Sequence, residues 1–554
     1  MGIPGLATSL EPYAARFTST ELGGHSAILD GPAFAYHAHK LASDTNSTRP
    51  PTYAEVHAIA IRWLNALETL NIKVSAILFD GALPSSKKNE RFARLQQMIK
   101  RMVQLRHSCP ATACPVPTSL GSIAFAFLAP SLMEALQLTK YAACTRIVPG
   151  EADDWCAYYA KKSPRSVIFT GDTDLLLFDY PPETVLIFFK DVLGLAISDL
   201  KAYSPSQLCQ RLELKSLATL AYAITVDRWK TMNENIQVAR TCDLSSDSYI
   251  DFSRRYQHIV APSPTVEKTG ITSALQCLDV RFSEFVHQAL APPELAPDVY
   301  LPLLFEDPNE ASAWKLGLDV RLLAYSLVMP QPKKVVREYT RRAQDAAVQV
   351  HSLPVPDAAR LVGANLLDTL AAWSVPELTA RQRWYLVSFR ISTESIKPPH
   401  SFLVERVIQD DFDNTWSYVH LNARLQATLY SLRMLKQSIE IWSGIDHEHT
   451  DPTMCETIEA LRGSLSTLPS IADLFGVPGQ SSSPPETNAD LHPIIKQVYQ
   501  SAGIDREDLF EEPKSKRQRK REKERRRKEE RAQEGRREHS SSNIFSLLQQ
   551  RSNA

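Results

Sequence analysis

The feature that most constrains this chain is a set of short apolar runs that each stop at an aspartate. SAILD (26–30), VSAILFD (74–80) and SVIFTGDTD (166–174) share this form. Such runs are too short for buried helices and read as strands covered on both faces. Helical patterns lie between them. Residues 53–70 place Val56, Ile59, Trp63, Leu67 and Leu70 at helix spacing, and 151–162 reads as another helix. Further strand signals stand at 145–148, 184–190 and 195–198. Strands that alternate with helices predict an α/β sheet, mostly parallel. In such sheets ligands bind beyond the carboxyl ends of the strands, so Asp30, Asp80, Asp172 and Asp174 are expected along one edge.

Glu151 and Asp153, at the start of a predicted helix, add to this set, with Asp227 as a further candidate. Gathering carboxylates costs electrostatic energy unless cations neutralise them. Oxygen-only donors favour Mg²⁺ or Mn²⁺ over zinc. Two such ions about 4 Å apart can activate a water and stabilise the leaving oxygen of a phosphodiester. Taken singly, each acid also reads as a cap or a surface group. Asp30-Gly31 and Asp80-Gly81 are ordinary turn signals.

Beyond residue 243 the pattern changes. Helical periods dominate 244–475, for example at 311–328, 334–350 and 418–442, and strand signals are rare. The aromatic residues there fall at helical spacing and read as core. The stretch 480–488 (QSSSPPETN) has linker composition, and 543–548 (NIFSLL) is a short apolar motif near the end. The formal net charge of −1 hides an asymmetry, because 514–538 carries 14 Lys/Arg against 6 Glu. An acidic body with a basic tail points to nucleic-acid contact, a nuclear address at 514–523, or a solvated charged helix. The 8 cysteines include no CxxC pair, which argues against zinc and disulfides and fits a reducing compartment. No apolar run approaches the ~20 residues that span a bilayer, so no membrane partner is expected.

Five ordered blocks carry a resemblance. MGIPGL at the N-terminus, ILDGPAFAYH, ILFDGALPSSKKNERFARL, IVPGEADDWCAYYAKK and FTGDTDLLLFD are similar to successive segments of the flap endonuclease/XPG family of structure-specific nucleases. The long helical region that follows resembles the asteroid-type subgroup. The resemblance implies an α/β, PIN-like nuclease domain with a mostly parallel sheet over 1–243, its arch at about 82–128. A large helical asteroid-type region over 244–475 and a linker with a basic charged tail over 476–554 would follow.

The resemblance also implies chemistry: Mg²⁺-dependent hydrolysis of phosphodiester bonds in branched or 5′-ended DNA, in repair, with RNA as the other nucleic-acid substrate. Asp30, Asp80, Glu151 and Asp153 would serve one metal. Asp172 and Asp174, with Asp227, would serve the second. Lys87 and Arg94 would neutralise the scissile phosphate from the arch, and Gly2, Lys87, Lys88, Arg91 and Arg94 would contact nucleic acid. The DNA role favours the nucleus over the cytoplasm.

Three departures stand out. Asp153 replaces the family's usual Glu, the Asp227 segment reads ITVDRW, and 232–240 (MNENIQVAR) lacks the glycines that let a helical hairpin approach a duplex backbone. Altered duplex binding is therefore expected. The alternative function is a catalytically weak or inactive nuclease-fold scaffold that binds nucleic acid, or protein partners through the helical region or tail.

Overall fold

The computed structural model describes residues 3, 5–45, 49–109, 125–192, 194, 199–257, 271–291, 296–329, 334–373, 375–445, 451–480 and 490–511. Among the described residues ten strands are formed. The central sheet contains β2 (Ser26–Asp30), β3 (Lys73–Asp80), β4 (Thr145–Val148), β5 (Ser166–Thr170) and β6 (Val185–Phe188). Its order is β4-β3-β2-β5-β6, and every pairing is parallel. The expected α/β sheet is therefore present. A short antiparallel pair, β1 (Ala15–Thr18) with β7 (Asp199–Ala202), stands beside it. The strand expected at 195–198 lies outside the described residues, as do Gly2, 481–489, the tail and the NIFSLL motif.

Both faces of the sheet are buried, which explains the continuous apolar strands. Ala27, Leu29, Ile77, Phe79, Val167 and Phe169 point into one core, and Ile28, Ala76, Leu78 and Ile168 into a second. The first core holds helices α1 (Gly31–Thr45) and α2 (Tyr53–Thr69) and continues into Tyr430, Leu435 and Ile495 of the C-terminal half. A capping box fixes where α2 begins: Glu55 N–H donates to Thr52 Oγ1 at 3.2 Å, and Thr52 N–H to Glu55 Oε2 at 2.8 Å.

Helix α3 (Lys88–Ser108) begins the segment expected to form an arch, and 110–124 lies outside the described residues. Next come α4 (Ala152–Lys161), α5 (Asp247–Gln257) and, deep in the C-terminal half, the 27-residue α6 (Trp416–Trp442). The C-terminal half is mostly helical, with one correction. Residues 334–350, read from the sequence as a helix, form strands β9 (Val335–Arg342) and β10 (Asp345–Ser352) of an antiparallel hairpin. Strand β8 (Asp298–Tyr300) runs parallel to β9. The reversal passes through Ala343 at φ 52°. The cause is tertiary: β8 supplies a pairing edge, and partners buried elsewhere take up Glu338 and Arg341. Among the described residues no helix is long and apolar enough to cross a membrane.

The hairpin and its surroundings grip α3 along its length. Ile99 and Met102 pack with Leu303, and the Phe92 and Tyr339 rings meet edge to face. Gln96 donates to Asp345 Oδ1 at 3.0 Å and accepts from Ala346 N–H at 2.8 Å. At the far end Arg106 pairs with Asp307 at 3.0 Å, and Trp416 Nε1 donates to the Cys109 carbonyl at 3.0 Å.

Candidate active site

The strands end at a common edge, and the chain places an acid at each neighbouring end. Asp30 closes β2 and Asp80 closes β3, side by side in the sheet. Crowding at this edge explains the glycine that follows each aspartate. A Cβ on Gly81 would stand 1.9 Å from the Val148 carbonyl oxygen, and one on Gly31 2.7 Å from that of Leu78. These glycines permit close approach rather than a turn with positive φ.

Thr170 at the end of β5 links the next acids. Its hydroxyl donates to Asp30 Oδ2 at 2.9 Å and accepts from Asp172 N–H at 2.9 Å. Ala33 N–H donates to the other Asp30 oxygen at 3.2 Å. Asp172 in turn accepts from Asp174 N–H at 3.0 Å, and Asp174 is fixed by Ile3 N–H at 2.9 Å. Across the sheet Glu151 occupies the N-cap of α4, and Ala152 N–H donates to Asp80 Oδ1 at 2.7 Å. A carboxylate there is favoured by the unpaired N–H groups of the helix start.

The electrostatics of these side chains follow from their shared surroundings. Burial and the Asp80 charge push Asp30 up to about 6. Burial and the nearby Glu151 raise Asp80, against the pull of an Ala152 N–H bond and of Lys87 and Arg91. Asp153 is raised furthest, by burial and by Asp30, Asp172, Asp80 and Glu151 together. Asp174 is raised by burial and Asp172. Asp172 alone is lowered: the N–H bond from Asp174, with nearby positive charge, outweighs burial. The structure therefore brings together Asp30, Asp80, Glu151, Asp153, Asp172 and Asp174. It does not gather Asp227, whose carboxylate accepts from Trp229 N–H at 3.0 Å and lies 3.9 Å from Lys230 in its own turn.

The basic residues separate in the same way. Lys87, one residue before α3, forms an ion pair with Glu151. Arg94 is half-exposed and pairs with Glu90 one helical turn away. Lys88 and Arg91 are held by the C-terminal half: Lys88 lies 3.4 Å from Asp298, while Arg91 pairs with Glu284 and stacks 3.6 Å over the Tyr300 ring. Sequence reasoning also missed one cation at the acids. Arg255 of α5 lies 3.8 Å from Glu151 and 3.7 Å from Asp174. Its helix carries no motif, so only the spacing of the buried Tyr249, Ser253 and Tyr256 hints at its orientation.

The donor set suits a hard divalent cation, because every group is a carboxylate and their mutual repulsion asks for positive charge. The carboxylates are gathered without being closed into a shell. Among the described residues no three His, Cys, Asp or Glu side chains form a group that could hold a metal ion.

A parallel sheet edged with acids and capped by a basic helix defines a class, and the comparisons fall in that class. The family model described as XPG domain containing matches residues 124–353. Glu151, Asp153, Asp172, Asp174 and Arg255 lie inside that span, and Asp30 and Asp80 precede it. Asteroid homolog 1 of Schizosaccharomyces pombe is 24% identical over 468 residues, covering 78% of this chain and 82% of the relative. The resemblance to the flap endonuclease/XPG family and its asteroid-type subgroup is thereby borne out. Among solved structures, human GEN1 in complex with Holliday junction DNA aligns at 15% identity and a TM-score of 0.28, covering 45% of this chain and 57% of that one.

Proposed function

We propose that the chain is a Mg²⁺-dependent, structure-specific nuclease that hydrolyses phosphodiester bonds in branched, flap or nicked DNA and acts in repair in the nucleus. One observation carries this reading: six carboxylates from four segments lie about one sheet edge, where burial and mutual repulsion raise most of them. The resemblance assigns Asp30, Asp80, Glu151 and Asp153 to one ion and Asp172 and Asp174 to a second, with Mn²⁺ as a substitute; binding would have to draw them closer, since as they stand no three form a metal-holding group. Bound there, the ions would supply a nucleophilic hydroxide and neutralise charge on the phosphate. Lys87 would bind a phosphate oxygen beside Glu151. The N–H groups of Ala33, Ala152, Asp174 and Ile3 hold the carboxylates in place. In this reading 1–243 performs hydrolysis, 244–475 fixes the arch, and the basic tail adds salt-sensitive affinity for phosphates.

The test is cleavage of labelled flap, fork and nicked duplexes. Cutting in Mg²⁺ that stops with chelator and is lost in Asp172→Asn supports the reading. Intact substrate at micromolar protein, in Mg²⁺ and in Mn²⁺, overturns it. That second result would favour a nucleic-acid-binding scaffold, the reading favoured by the open carboxylate arrangement and by the capture of Lys88, Arg91 and Arg106 by Asp298, Glu284 and Asp307.

A further inference from the structure

We propose that Arg255 is a further catalytic residue, a phosphate-binding arginine that faces Lys87 across Glu151; the proposal rests on the nuclease reading above. The geometry has three parts. First, one nitrogen, Nη2, lies 3.8 Å from Glu151 Oε2 and 3.7 Å from Asp174 Oδ2, so a single guanidinium bridges acids from two segments of the site. Second, the other Glu151 oxygen is taken by Lys87. The two cations thus reach the same carboxylate from opposite elements, the start of the arch helix and α5. Third, the Arg255 side chain is 47% exposed, so part of it stays open to solvent while it contacts the acids.

The backbone that presents Arg255 is well fixed. Tyr256 packs edge to face on Phe178 with ring centres 5.7 Å apart, and its hydroxyl lies 3.5 Å from Asp174 Oδ2. Phe252 and Tyr249 each pack on Tyr222 at 5.5 Å. An arginine on so rigid a helix suits bidentate recognition of a phosphate, which a mobile surface arginine does not. In the free protein its charge offsets the gathered acids. Once those acids are neutralised and a substrate phosphodiester lies between Lys87 and Arg255, the guanidinium donates to the non-bridging oxygens. No bond is made or broken by Arg255. It stabilises charge that grows on the phosphorus oxygens as the leaving oxygen departs.

The experiment compares Arg255→Gln and Arg255→Lys with wild-type protein, using a nicked DNA duplex and Mn²⁺ as probes. For Arg255→Gln we expect kcat to fall about 10²-fold, with partial recovery in Arg255→Lys. Calorimetric Mn²⁺ affinity should stay equal or rise severalfold, because a competing cation has left the acids. Cleavage within about twofold of wild type overturns the proposal, and so does weakened Mn²⁺ binding, which would mark Arg255 as a structural prop for the ligands. If the wild type itself does not cleave, the nuclease reading fails separately. The Arg255 assignment is then decided by duplex binding in chelator, where unchanged affinity in Arg255→Gln overturns it and at least a threefold loss sustains it.

Discussion

Two groups of buried charge behave in opposite ways. In the C-terminal half Glu338 accepts from Arg321 Nε at 2.7 Å and from the Tyr325 hydroxyl at 2.8 Å, and His351 lies 3.3 Å away. Although burial opposes it, Arg321, with further help from His351 and Tyr325, lowers Glu338 to about 2. On the same strand Arg341 meets Glu306 at 2.7 Å, although burial still raises Glu306. At the sheet edge Asp30, Glu151 and Asp174 are also buried, yet carboxylates crowd against carboxylates, and Asp30 is raised to about 6. The first group completes its own pairing and is structure. The second is left short of positive charge, the condition under which a site takes up cations or substrate.

The comparison can be broken at either end. The largest effect is expected from Glu338→Gln, which strands the fully buried Arg321 guanidinium. Loss of one partner of such a pair costs about 3–5 kcal/mol, so thermal unfolding should shift down by many degrees. A shift near zero would mean that the pair is not the closed unit described here.

Asp30→Asn should do the reverse. It removes a charge whose ionisation the fold resists, so in chelator we expect stability at neutral pH to rise by about 1–3 kcal/mol. Cleavage should meanwhile fall by about 10²-fold or more. Destabilisation without loss of cleavage would place Asp30 with the structural acids.

Titration sharpens the same contrast. Glu338 lies below its ordinary value of 4.5, so its contribution is present above that pH and is lost as pH falls towards about 2. Asp30 lies above its ordinary value of 3.8, so its contribution is present below that pH and is lost as pH rises through about 6. In metal-free buffer, denaturant unfolding of Asp30→Asn should match wild type near pH 4 and exceed it near pH 7. Parallel curves across that window would remove the assignment.

The smallest effect is expected at Arg94. Its exposed pair with Glu90 is worth about 0.5 kcal/mol or less, and Arg94→Gln should change cleavage by less than about threefold, against about 10²-fold for Lys87→Gln. Equal losses would show that substrate draws Arg94 to the acids.

Much of the sheet was legible because parallel strands buried on both faces leave a local mark: apolar runs that stop abruptly. The runs before Asp30, Asp80 and Asp172 became β2, β3 and β5, and the acids that close them share one edge. The Asp-Gly pairs were half legible. The sequence shows a turn signal, but the real constraint on Gly31 and Gly81 is the carbonyl of a neighbouring strand. The 334–350 hairpin was misread because its charged residues, Arg337, Glu338 and Arg341, obscure strand alternation until their buried or crowded partners are known. Asp227 and Arg94 stand in local pairs with Lys230 and Glu90, and position in a motif does not say which way a side chain is drawn.

Strand periodicity and strand termination are local properties, so the residue pattern already specifies the parallel sheet and the acids at its ends. Which charges are matched and which are left over is settled by long-range packing. Arg255 reaches the acids from more than 80 positions beyond Asp172, and Glu284, Asp298 and Asp307 seize the arch from still further away. Such pairings depend on packing between distant segments, and no local pattern records them.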